Sequence, residues 1–196
     1  MTVLASTQVG VASAEAPVTQ EAPESTRSRH AVDVLRIGLG LVFLWAFLDK
    51  TFGLGFSTKS AQAWIHGGSP TQGFLGHVEV GPLQSSFRSI AGAGWANTLF
   101  MLALLGLGVA LITGVALQIS AVAGTVLLVL MWAAEWPMAQ HTSTGDPTGS
   151  TNPFLDYHLL YAIGLIVVAT VGISSTWGLN RWWATLPIVN SHPVLR

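Results

Sequence analysis

Six side chains stand out as able to do chemistry: Asp49, Lys50, Glu135, Asp156, Tyr157 and His158. Each lies where an apolar stretch of the chain gives way to polar residues. A carboxylate beside an imidazole can relay protons, because neighbouring charge and desolvation shift both groups' proton affinities. Tyr157 and Tyr161 are one helical turn apart and can hydrogen-bond a quinone or stack on it. Trp132 and Arg36 complete the candidate contacts of such a ring. His141, His66 and His77 lie in polar segments from which they could join. Ionisable groups at membrane depth are functional candidates by default, since leaving one unpaired there is costly.

Each residue also has a plainer reading. Asp156, three positions after Pro153, could simply cap the helix that follows. Lys50 could snorkel to the headgroups. Glu135 and Asp49 could belong to a buried polar network with only a structural role. No HExxH or HxH spacing occurs, so no metal site is expected. Gly67 and Gly68 read as a turn, without the lysine and spacing of a phosphate loop.

The elements that must position these residues are apolar. Hydrophobic residues make up 51% of the 196 and charged residues only 9%, against roughly 25% charged in a soluble domain. The net charge of −1 leaves no basic field for nucleic acid. The chain has no cysteine, hence no disulfide, thiolate nucleophile, Fe–S ligation or covalent haem attachment. Not one charge interrupts Trp95 to Ala134. As a single helix that stretch would run ~60 Å, about twice a bilayer core, so it must double back, most simply between Gly114 and Ser120.

The expected architecture is therefore all-α and membrane-embedded: a four-helix transmembrane bundle with spans near Ala31–Phe52, Trp95–Val115, Gln118–Trp136 and Asp156–Ser174. Residues 1–28 read as a disordered cytoplasmic tail, 29–185 as the membrane domain and 186–196 as a short C-terminal tail. Short apolar patches at Ala61–Ile65 and Leu83–Phe87 suggest surface helices in the first outer loop. Gly106, Ala110 and Gly114 form a small-residue ridge, suited to packing inside the bundle or to a homo-oligomer face. Arg27, Arg29, Arg36 and Arg181 favour cytoplasmic termini. With that orientation Asp49, Lys50, Glu135, Asp156, Tyr157 and His158 all gather at the outer mouth, where they are expected to form one interacting cluster.

The run from Leu35 to Phe52 (LRIGLGLVFLWAFLDKTF) resembles the opening span of the bacterial DoxX/DoxD family of membrane proteins. Trp64 to Phe74 (WIHGGSPTQGF) and Asn152 to Tyr161 (NPFLDYHLLY) are similar to that family's first loop and the start of its last span. The resemblance covers roughly residues 30–185 and brings actinobacterial members to mind. It implies a four-helix bundle in the bacterial plasma membrane. It also implies a subunit of a quinone-linked oxidoreductase of the thiosulfate:quinone type, with quinone as cofactor and a partner chain supplying electrons. By position, Arg36, Asp49 and Lys50 are the first-span motif residues, and Asp156 and His158 the last-span ones. Two other functions stay open: a non-catalytic anchoring subunit of a respiratory or oxidative-stress complex, and a small-solute transporter.

Overall fold

The charge-free stretch doubles back at Gly114. The computed structural model describes residues 26–171 and 177–195; residues 1–25, which hold most of the expected tail, lie outside them, as do 172–176 and 196. In chain order the α-helices are α1 (Thr26–Phe52), α2 (Pro70–Leu75), α3 (Gln84–Ile90), α4 (Gly94–Thr113), α5 (Leu117–Glu135), α6 (Tyr157–Val171), α7 (Asn180–Thr185) and α8 (Pro187–Ser191). No strand occurs among the described residues beyond an isolated bridge between His141 and Pro147.

Three helices, α1, α4 and α5, are long and apolar enough to cross a membrane. The fourth expected span is shorter: α6 has 15 residues, or ~22 Å, and ends where the described residues break off. α1 starts at Thr26, so positions 26–28, read as tail, belong to the helix. The supposed tail after 185 also contains structure, since α8 buries Val189 completely.

Gly114 ends α4 in the left-handed conformation (φ 78°) and donates its N–H to the carbonyl of Ala110. Ala116 is also left-handed, and α5 begins one residue later. Gln118 and Ser120, read as part of the turn, are already helical, and Ser120 is buried.

α4 runs antiparallel to α1, α5 to α4, and α6 to α5, with α6 also packing on α1. A core of Leu39, Phe43, Met101, Leu107, Leu128 and Leu165 fills the centre. Leu102, Val122 and Ile163 point away from that core and are more than half exposed. Helices apolar on both inner and outer faces suit a lipid solvent.

Glycines set the closest approaches. A Cβ on Gly108 would lie 2.8–3.0 Å from the backbone and Cβ of Leu44, and one on Gly40 would meet Ile112 at 2.8 Å. The Gly106, Ala110, Gly114 ridge is not the packing face: Gly106 is exposed with nothing near its Cβ position, and Gly114 closes the helix. Residue 108 lies ~200° around the helix from residue 106, which is why Gly108 meets α1. Gly108→Ala should therefore cost about 1–3 kcal/mol in detergent unfolding, while Gly106→Ala should be neutral or slightly stabilising.

α2 and α3 lie between α1 and α4 in sequence. Ser69 Oγ caps α2 by accepting from the Gln72 N–H. Asn97 of α4 pins the same turn, its Oδ1 accepting from Thr71 N–H (2.9 Å), Thr71 O–H (2.7 Å) and Ser69 O–H (3.1 Å). This brings the first long connection over the end of α5.

Candidate functional site

α5 stops at Trp136, which is left-handed (φ 41°) and followed by Pro137. A proline cannot continue the helix. The chain then returns through a loop tied to itself. Ser150 O–H donates to the Pro137 carbonyl and Thr148 O–H to that of Ala139. Asn152 Oδ1 accepts from the N–H groups of Phe154 and Leu155, turning the chain into α6.

Asp156 then does two things. Its Oδ1 accepts from Leu159 N–H (3.1 Å), the bond expected of a helix cap. Its Oδ2 lies 2.7 Å from His158 Nδ1. One oxygen thus caps the helix and the other pairs with the imidazole. Hydrogen bonding to a carboxylate assigns the proton to Nδ1. His158 is buried, and its Nε2 has no hydrogen-bond partner among the described residues. Glu135 Oε2 lies 3.8 Å from the same Nδ1, and Glu135 Oε1 accepts from Tyr157 O–H at 2.9 Å. The Tyr157 ring lies 4.0 Å from the His158 ring and 6.0 Å from that of Tyr161.

Glu135, Asp156 and Tyr157 form one wall of a cavity of about 550 Å³, inside the roughly 300–1,000 Å³ range of small-molecule sites. His77 and Glu79 of the first connection and the 148–152 turn close its other sides. The phenol and carboxylate can exchange hydrogen bonds and a proton with a bound molecule, while the Asp156–His158 pair behind them adds charge and orientation. Glu135, Asp156 and His158 also offer one donor atom each within 4.8 Å of one another, a set able to hold a metal ion. A search for HExxH or HxH spacing misses such a set, because the three residues come from two segments.

The expected single cluster divides. Asp49 and Lys50 sit at the same end of the helices, but Asp49 faces the loop after α1. It accepts from Ser57 O–H (2.6 Å), Ser57 N–H (3.0 Å) and Phe56 N–H (3.3 Å). Lys50 reaches Ser57 Oγ at 3.4 Å. Among the described residues no hydrogen bond or ion pair links Asp49 or Lys50 to Glu135, Asp156 or His158. Two amides and a hydroxyl satisfy the Asp49 carboxylate, so it does not depend on a distant cation. Lys50→Met should accordingly stay within about 0.5 kcal/mol of the parent, whereas Asp49→Ala should cost about 2–3 kcal/mol by freeing the 53–58 loop, both read from thermal unfolding in detergent.

The candidate ring contacts also separate. Trp132 lies one turn before Glu135; its ring is 5.7 Å from that of Trp136, and its buried Nε1–H has no partner among the described residues. Tyr161 packs on the apolar core. Arg36 is at the opposite end of the helices, fully buried. It donates to the carbonyls of Leu111, Ile112 (3.0 Å) and Trp177 (2.8 Å), and lies 3.4 Å from Asp33. Arg36 therefore does not share a site with Tyr157. His66 and His141 are exposed and, like Asp49, stand outside the cavity wall.

Sequence reasoning missed Asp33, Ser57 and Glu79. Asp33 had a local signal, its three-residue spacing from Arg36 on a helix. Ser57 and Glu79 had none, because loop folding places them. Comparison with protein-family models, curated proteins and solved structures gives no match for this chain.

Proposed function

We propose that the chain is a DoxX/DoxD-like, four-span protein of the bacterial plasma membrane that binds a quinone at the Glu135–Tyr157 wall and exchanges protons with it. In this reading it is one subunit of a quinone-linked oxidoreductase, and a partner chain brings the electrons. The observation that carries it is the Tyr157–Glu135 hydrogen bond facing the cavity, backed by the buried His158–Asp156 pair. Reduction of a quinone consumes two electrons and two protons. On releasing its O–H from Glu135, Tyr157 can donate to a ring carbonyl, and Glu135 can pass protons between the cavity and that oxygen. Asp156 and His158 are positioning residues that set the charge behind Glu135. α6 serves as the fourth span, and α2 and α3 lie at the outer membrane surface. Both termini then face the cytoplasm, in line with Arg27, Arg29 and Arg181.

Purification of the full chain in mild detergent, followed by solvent extraction and mass spectrometry, tests the reading. Quinone in amounts near one per chain is expected, and its loss on Tyr157→Phe combined with Glu135→Gln. Stoichiometric partner proteins without quinone would replace the reading with an anchoring role. Neither, together with solute flux in liposomes, would make the protein a transporter. Reporter fusions at both ends should give cytoplasmic signals; a periplasmic signal from either overturns the orientation.

A further inference from the structure

α4 and α5 pack together less extensively than α1 with α4 or α5 with α6. In their seam, beneath α2 and α3, lies a second cavity of about 280 Å³. Its long walls are apolar, formed by Phe100 and Ala103 of α4 and by Leu127, Leu130 and Met131 of α5. At its mouth Trp95 and Leu99 are each 62% exposed, so the groove opens sideways, toward lipid in a membrane.

This groove lies beside the polar cavity, with Phe74 between them. Leu127, Met131 and Ala134 follow one face of α5, and Ala134 and Glu135 are the next wall residues, now of the polar cavity. The distance along the helix from Leu127 to Ala134 is ~10 Å. Phe74 borders both spaces. A molecule with its ring beside Glu135 and Tyr157 would therefore find an apolar run starting at Phe74.

Charge selects among amphiphiles of that shape. The polar cavity carries Glu79, Glu135 and Asp156, with no Lys or Arg among its described lining residues. A phosphate headgroup would meet three carboxylates and, beside His77, no Lys or Arg among the described lining residues. An uncharged ring with carbonyl acceptors meets no such repulsion. We infer that the α4–α5 groove holds the first isoprene units of the tail of a quinone whose ring occupies the polar cavity. This inference rests on the quinone reading above and adds to it a subsite for the tail.

The test uses the full chain in nanodiscs of phosphatidylcholine and phosphatidylglycerol. The probe is a 1,4-naphthoquinone with a four-isoprene tail bearing a diazirine on its second unit. After irradiation and digestion, adducts are expected at Phe100, Ala103, Leu127 or Met131, and they should be lost when excess tailless naphthoquinone is present. Adducts on outward positions such as Val122 or Ile163, lost in the same competition, would overturn the groove while leaving the ring site standing. Adducts that the tailless ring does not suppress would overturn both. A diazirine phosphatidylcholine that labels the groove equally with or without tailed quinone would make the groove an ordinary lipid seam.

Discussion

Arg36→Met is expected to destabilise the protein by about 3–5 kcal/mol, the cost of breaking a buried ion pair by removing one partner. The guanidinium and Asp33 are both fully buried. Arg36 satisfies the last carbonyls of α4 at Leu111 and Ile112, and it holds the Trp177 carbonyl from the chain beyond α6. Asp33 in turn accepts from Trp177 N–H at 3.3 Å. One side chain thus joins α1, the end of α4 and the chain leading into α7, and a cation there also suits the negative end of α4. Methionine fills much of the space but leaves the carbonyls without their donor and takes the guanidinium away from Asp33. Arg36→Met combined with Asp33→Asn should recover part of the loss, since it removes the charge that faced the guanidinium but restores no donor to the carbonyls. Arg36→Lys should fall between, because one ammonium cannot reach three carbonyls with the spread of a guanidinium. Thermal unfolding in detergent measures the series. An Arg36→Met protein within about 0.5 kcal/mol of the parent would mean that water, not the protein, surrounds this guanidinium.

If the chain works as proposed, Glu135→Gln should lower quinone reduction about 10²–10⁴-fold in membranes that contain its partner chain, the usual contribution of a positioned acid–base group. A hundredfold loss corresponds to ~2.7 kcal/mol of barrier. Glutamine keeps an oxygen for the Tyr157 O–H at nearly the same place, so quinone binding should stay within about threefold, read as competition for the photoprobe. The combination of lost turnover and kept binding separates a proton-exchanging group from a structural one. If Glu135 only anchors the Tyr157 hydroxyl, turnover and binding should instead fall together and by less than about tenfold. Asp156→Asn should act more weakly on turnover than Glu135→Gln. Its oxygen can still cap α6, while His158 loses the carboxylate that sets its tautomer.

Much of the fold was legible before any coordinates. An uncharged stretch of some forty residues, from Trp95 to Ala134, can only double back in a bilayer, and α4 and α5 fall within one residue of the expected bounds at three of their four ends and within two at the fourth. Asp156, Tyr157 and His158 stand together because they adjoin in sequence at a helix start, and Glu135 joins them because antiparallel helices bring the end of α5 to the start of α6. Such inferences need only helix length and direction. The same rule placed Asp49 and Lys50 at the right end but said nothing of which way they face. Rotation of α1 about its axis decides that, and it is set by the close approaches of Gly40 to Ile112 and of Leu44 to Gly108. The ridge at Gly106 was misjudged for the same reason, as four-residue spacing reveals a stripe but not the neighbour it meets. The partners of Asp49, the second wall of the polar cavity at Glu79 and the seam beside Phe74 depend on how the 53–93 segment folds back over α4 and α5. Sequence alone determined the apolar helices and their alternating direction, because burying backbone polar groups in an apolar medium leaves little choice. The tertiary structure decided the rotations and the loop path, because those follow from side-chain packing between segments far apart in the chain.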